Sequence, residues 1–136
     1  MKAIFLGLYF ALSAVSFVAC GHAAETPKAT DIETAMRTRW EKPGSTSSPK
    51  TTFTANSIRI GSGAKANVQD KIDGVPPEAW VTIALVDFTV RSHYSTGIEA
   101  VRRVRECKVY KDQFDEWAVM ISRARGEDKI TSEPLK

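Results

Sequence analysis

Two side chains in this sequence have the types needed to pass a proton between them, Asp87 and His93. The alternation around them places both on one face of an extended segment. They lie six positions apart, about 20 Å along an extended chain. They cannot share a proton within that strand, so each needs a partner from elsewhere, such as Asp115, Glu116 or Asp70. A solvated polar face is the plainer account of both. Metal binding has less behind it. His22 lies beside the N-terminal apolar run, which leaves His93 as the sole histidine of the domain, and no Cys/His pair has metal-site spacing. Gly61-Ser62-Gly63-Ala64-Lys65 is glycine-rich and ends on a lysine, but it lacks the spacing of a phosphate-binding loop and reads as a turn or bulge. The sequence therefore assigns no catalytic residue, no metal and no cofactor.

The remaining polar chemistry is basic. Arg102, Arg103, Arg105 and Lys108 are interleaved with Val101, Val104 and Cys107. On a strand, Arg103 and Arg105 share one face while Arg102 and Lys108 share the other. These four are the candidates for holding an acidic headgroup, a glycan or an acidic partner. Glu99, Glu106, Asp112, Asp115 and Glu116 are close enough in sequence to neutralise them across a hairpin instead. The aromatics are numerous for a small domain. Packing accounts for most of them; Trp40, Trp80, Phe88, Tyr94 and Trp117 are the candidates for lining a pocket. Cys107 reads as a small buried hydrophobe.

The elements that must position these groups follow from periodicity. Ile32, Ala35, Met36 and Trp40 recur at helical spacing, with Thr30 and Glu33 as a capping box and Pro43-Gly44 as the stop. A helix is expected over roughly Asp31 to Glu41. Gly44 to Thr51 is a loop by composition. From Ile58 to Ile72 the period changes to two, which predicts two strands around Gly61-Ser62-Gly63, ended by Asp73-Gly74 and Pro76-Pro77. Trp80 to Tyr94 is the clearest strand, with Ala84, Val86, Phe88 and Val90 on one face. Its other face changes from Val81, Ile83 and Leu85 to Asp87, Thr89, Arg91 and His93. Ile98 to Tyr110 fits either a helix or a strand; a strand with an irregularity near Arg102-Arg103 is favoured, because Trp117 to Ser122 then supplies its hairpin partner. Arg123 to Lys136 reads as a polar tail that frays.

The first residues give an address. Lys2 is the sole charge before Glu25, and Ala3 to Ala19 is an unbroken run of apolar and small residues, the composition of a secretory signal. Phe17-Val18-Ala19-Cys20-Gly21 resembles the lipobox of bacterial lipoproteins, with Phe17 where leucine is usual. That resemblance implies that Cys20 is acylated and becomes the new N-terminus, and Gly21 after it implies delivery to the outer membrane on its periplasmic face. Cleavage after Ala23 or Ala24 is the alternative and leaves a periplasmic or secreted protein. The expected organisation is a signal peptide over 1–19, a polar tether over 20–29, one domain over 30–122 and the tail over 123–136. Nineteen Lys and Arg against 16 Asp and Glu give a formal net charge of +3, and losing Lys2 with the leader leaves +2. That balance requires no nucleic-acid partner.

The expected fold class is α+β, one N-terminal helix packed on a curved antiparallel sheet of four to five strands. In element order this resembles the cystatin-like and nuclear-transport-factor-like folds; a small β-sandwich or barrel is the alternative. The expected function is that of an exported, non-catalytic bacterial envelope protein, a lipoprotein that binds another envelope protein or a glycan. Two alternatives stand beside it. One is a periplasmic small-molecule pocket protein, or an enzyme using Asp87 or Asp115. The other is an exported inhibitor or immunity protein.

Overall fold

The computed structural model describes residues 24–135; the expected leader and Cys20 lie outside them. Helix α1 (Ala29–Trp40) forms because Ile32, Met36 and Trp40 fall one turn apart on a single stripe. Ile32 and Met36 are fully buried, and each contributes about 2–3 kcal/mol of apolar transfer. The start of α1 differs from expectation by two residues. The Lys28 N–H donates to Asp31 Oδ2 at 2.8 Å, so Asp31 and not Glu33 satisfies the exposed end. Glu33 instead pairs with Arg37 one turn on, at 2.7 Å. Glu41 leaves the helix in extended geometry, and Pro43 prevents a return.

The sheet is built from β1 (Lys50–Lys65), β2 (Trp80–Tyr94), β3 (Gly97–Lys111), β4 (Trp117–Ala124) and β5 (Lys129–Glu133). Its order is β1-β2-β3-β4, antiparallel throughout, and β5 also pairs with β3. β4 lies along Arg105–Lys111 and β5 along Ile98–Arg102, so the two pieces share the far edge of β3. The sheet stays open and α1 covers one face of it, as the α+β reading expected; it is not a barrel. Phe53, Ala84, Val86, Phe88, Val90, Cys107 and Val109 meet Ile32 and Met36 there, with Trp40, Trp117 and Val119 packed around them. Trp40 and Phe53 both tilt against Phe88, with ring centroids 5.6 and 5.4 Å away.

Three expectations are corrected. The segment expected as a second strand up to Ile72 is not one. β1 runs through Gly61-Ser62-Gly63 with a register shift between Ile60 and Gly63, and helix α2 (Val68–Ile72) follows. Asn67 and Asp70 cap it reciprocally, Asn67 Oδ1 accepting the Asp70 N–H and Asp70 Oδ2 accepting the Asn67 N–H. Local capping outweighs a weak alternation in a short polar segment. β3 is a strand, as favoured, but its pairing with β2 is unbroken past Arg102 and Arg103; the irregularity falls between Glu106 and Cys107 on the β4 side. The tail does not fray throughout, because Lys129–Glu133 finds the backbone groups that β4 leaves open on β3.

Candidate functional site

The expected sites separate into three places. Arg102 and Lys108 face away from α1, while Arg103 and Arg105 lie on its side, as strand alternation required. All four are paired. Arg102 grips Asp87 with Nε at 2.9 Å and a terminal nitrogen at 2.5 Å. Arg103 and Arg105 share Asp128, at 3.2 and 2.9 Å. Lys108 pairs with Asp70. Each basic side chain is neutralised by an acid, but only Arg102 finds its acid on a neighbouring strand, and none of the five acids named from sequence is the partner. The real ones come from β2, α2 and the β4–β5 connection, which only the register brings near. Arg103 also stacks over the Trp40 ring at 4.9 Å.

Asp87 and His93 are not brought together. Asp87 is fixed by Arg102 and by Asn56 Nδ2 at 3.1 Å, whereas His93 meets the Thr52 hydroxyl at 3.1 Å. The hydrogen bonds from Arg102 hold the Asp87 carboxyl below its ordinary range, so it stays ionised and unsuited to donating a proton at neutral pH. Cys107 is fully buried, and burial pushes its thiol up to about 11.

The five aromatic candidates also divide. Phe88 is core, and Tyr94 projects at the end of β2, 46% exposed. Trp40 closes the helix–sheet interface, with its indole nitrogen buried and without a hydrogen-bond partner among the described residues. Trp80 and Trp117 do share a cleft, of about 270 Å³, at the end of the sheet where β2 and β4 begin and β3 ends. The register explains it. Lys111 pairs with Trp117, and continuing the β2–β3 pairing beyond Thr82↔Val109 brings Trp80 opposite Lys111. All three side chains lie on the α1 side, so a lysine sits between two tryptophans across three strands.

Each wall has a local cause. A Cβ at Gly63 would fall 2.1 Å from Trp80 Nε1, so the missing side chain there is what lets the indole lie against β1. Pro76 and Pro77 form the wall in front, in a turn where the Ala79 N–H reaches the Pro76 carbonyl at 3.0 Å. On the far side Asp112 Oδ1 accepts the Phe114 and Glu116 N–H groups at 2.8 and 3.0 Å, and Asp115 takes the left-handed conformation at φ 61°. Lys111 Nζ lies 5.1 Å from the Trp117 ring centroid, 3.0 Å from Glu25 and 3.5 Å from Asp115. The bond to Glu25 raises the Lys111 pKa, which keeps the ammonium charged. The arrangement suits a ligand with a flat or ring-shaped apolar face and polar groups at its rim.

Sequence reasoning points to Trp80 and Trp117 but misses Lys111, Pro76, Pro77 and Glu25. From the sequence Pro76-Pro77 reads as a strand terminator and Glu25 as tether. The signal available was that Lys111 and Trp117 flank one hairpin turn. Comparison with known proteins finds no matching family model, no similar curated protein and no similar solved structure.

Proposed function

We propose that this chain is an exported, non-catalytic binding protein of the bacterial envelope, anchored through lipid on Cys20, and that it holds its partner component in the Trp80–Trp117 cleft. The cleft carries the reading: two indoles and two prolines make its walls, and a lysine paired with two acids lies in its floor. Aromatic walls with a few polar groups recognise; they do not by themselves move protons or electrons. The position of Glu25 gives the anchored form of the proposal a geometric consequence. It lies five positions after Cys20, a reach of at most about 17 Å, so an acylated chain carries this cleft close to its membrane.

The enzyme alternative has less support. Asp87 is tied into a bidentate ion pair. The space between α1 and the sheet, where a pocket of that type would lie, is filled by Ile32, Met36, Phe53 and Phe88.

Photo-crosslinking in producing cells tests the proposal. A photoreactive residue at Gln113, on the cleft rim, should give a discrete adduct that one at Thr54, on the opposite face, does not. Gly63→Val, which drives a side chain into the Trp80 indole, should abolish that adduct while the protein remains exported. No adduct, or equal adducts from both positions, overturns the reading.

A further inference from the structure

β1 is an edge strand whose outer side, among the described residues, is covered at one end and bare along the rest. Lys42 and Thr51 exchange two backbone bonds, at 3.2 and 3.0 Å, so the N–H and C=O of Thr51 point away from β2. Backbone groups in an antiparallel pair alternate in direction along the strand. Phe53 and Ala55 therefore point outward with Thr51. Phe53 is covered: its N–H donates to Glu41 Oε1 at 3.3 Å, and its carbonyl accepts from Arg37 at 3.5 Å. Asn56 is then a bulge, because Ala55 pairs with Phe88 and Ser57 with Asp87. Ile58 pairs with Val86 and Ile60 with Ala84, on the same alternate set of β2 residues as Phe88. Ile58 and Ile60 thus turn their N–H and C=O outward too, where no further strand lies among the described residues.

Exposed edges are normally blunted with proline, charges or bulges; here the bulge at Asn56 leaves Ser57 to Ile60 in regular pairing beyond it. From Thr51 to Ala64 there is no proline, and Arg59 is the single charge. The chemistry of the edge selects an occupant. Between Glu41 and Asp70 there is no acid, while Lys42, Lys50, Arg59 and Lys65 are all basic. A second copy would lay like charges side by side; an acidic strand would match them. Ile58 and Ile60, the latter 37% exposed, face the α1 side, and exposed Arg59 faces the other.

We infer that the β1 edge from Ala55 to Ile60 accepts an extended segment of a partner protein as an added strand, with an acidic residue beside Arg59 flanked by apolar residues beside Ile58 and Ile60. The free backbone groups supply the affinity, and the apolar–acidic–apolar alternation supplies the choice of segment. This surface lies on β1 and does not depend on the cleft.

The test is a titration of the isotope-labelled mature chain with a blocked heptapeptide alternating valine and glutamate, followed by amide NMR. Shifts and slowed exchange at Ala55, Ile58 and Ile60 are expected. Arg59→Glu should weaken binding about fivefold, and a peptide with lysine in place of glutamate should not bind the parent chain. Ile58→Pro removes an outward N–H that the fold does not use; if it stays folded, it should lose the peptide. Absence of shifts, shifts confined to the Pro76–Trp80 segment, or an Arg59→Glu chain that binds unchanged overturns the inference. So do edge shifts that depend on protein concentration without peptide, since they show pairing between copies.

Discussion

Asp70 shows how one residue can decide whether a segment is ordered. It caps α2 through the Asn67 N–H, pairs with Lys108 on β3, and is only 3% exposed. The Lys108 hydrogen bond, and next to it the Asn67 N–H, hold its carboxyl below the ordinary range against the opposing effect of burial. A carboxyl whose pKa is lower folded than unfolded stabilises fully above its unfolded value, about 4, and that stabilisation is lost as pH falls through the folded value. Asp87 shifts the same way under Arg102. Burial alone would raise Asp128, but Arg105 and Arg103 bring it down as well. The protein should therefore lose stability steeply below about pH 4. Asp70→Asn should cost about 3 kcal/mol at pH 7 and clearly less at pH 3, where the parent has begun to lose the same interaction. Urea unfolding at the two pH values measures this; an equal cost at both means that the ion pair is not what the carboxylate contributes.

Among elements, α1 and β2 were legible in the sequence because their apolar periods are long and uninterrupted. Ile32 and Met36 mark one, and Ala84, Val86, Phe88 and Val90 the other. α2 was not, since Val68 and Ile72 fit a two-residue alternation as well as a helical turn, and the Asn67–Asp70 cap is the whole helical signal. β5 was not legible for a different reason. Lys129-Ile130-Thr131-Ser132-Glu133 has nothing to bury, and four of its five residues are exposed; it is a strand because β3 is longer than β4. The same non-locality hid the partners of the basic stretch, since the acids that pair with it are fixed by register and not by nearness in sequence. If β5 is an integral edge, a chain ending at Gly126 loses Asp128 along with the pairing to Ile98–Arg102 and leaves Arg103 and Arg105 half-buried without their acid. Its melting temperature should fall by at least about 5 °C. A polar tail that frays would allow the same deletion at no cost, so thermal melting of the two chains separates the descriptions.

For the whole molecule, the arrangement of ends matters more than the fold class. The first described residues run along the same end of the sheet as the cleft: Glu25 bonds Lys111 in its floor, and Pro27 is buried before α1 begins. The tether therefore arrives already docked, and Cys20 is five residues before that docking point. If Cys20 carries lipid, the cleft opens within about 17 Å of the anchor, while the β1 edge lies on a different flank of the sheet, open to a second contact. Mature protein from fractionated cells should then have an intact mass that starts at Cys20 with acyl chains, and should sediment with membranes. Cys20→Ser should move it to the soluble fraction. The geometry adds a consequence that lipidation alone does not. Inserting about 15 glycine and serine residues after Cys20 widens the reach to roughly 70 Å without touching the fold, so the protein should stay membrane-bound while the crosslink from Gln113 falls. A crosslink that survives the insertion unchanged would place the partner away from the membrane and make the short tether irrelevant to recognition. A mass that starts at Ala24 or Glu25 would make the chain a diffusible protein and remove the anchored form of the proposal altogether.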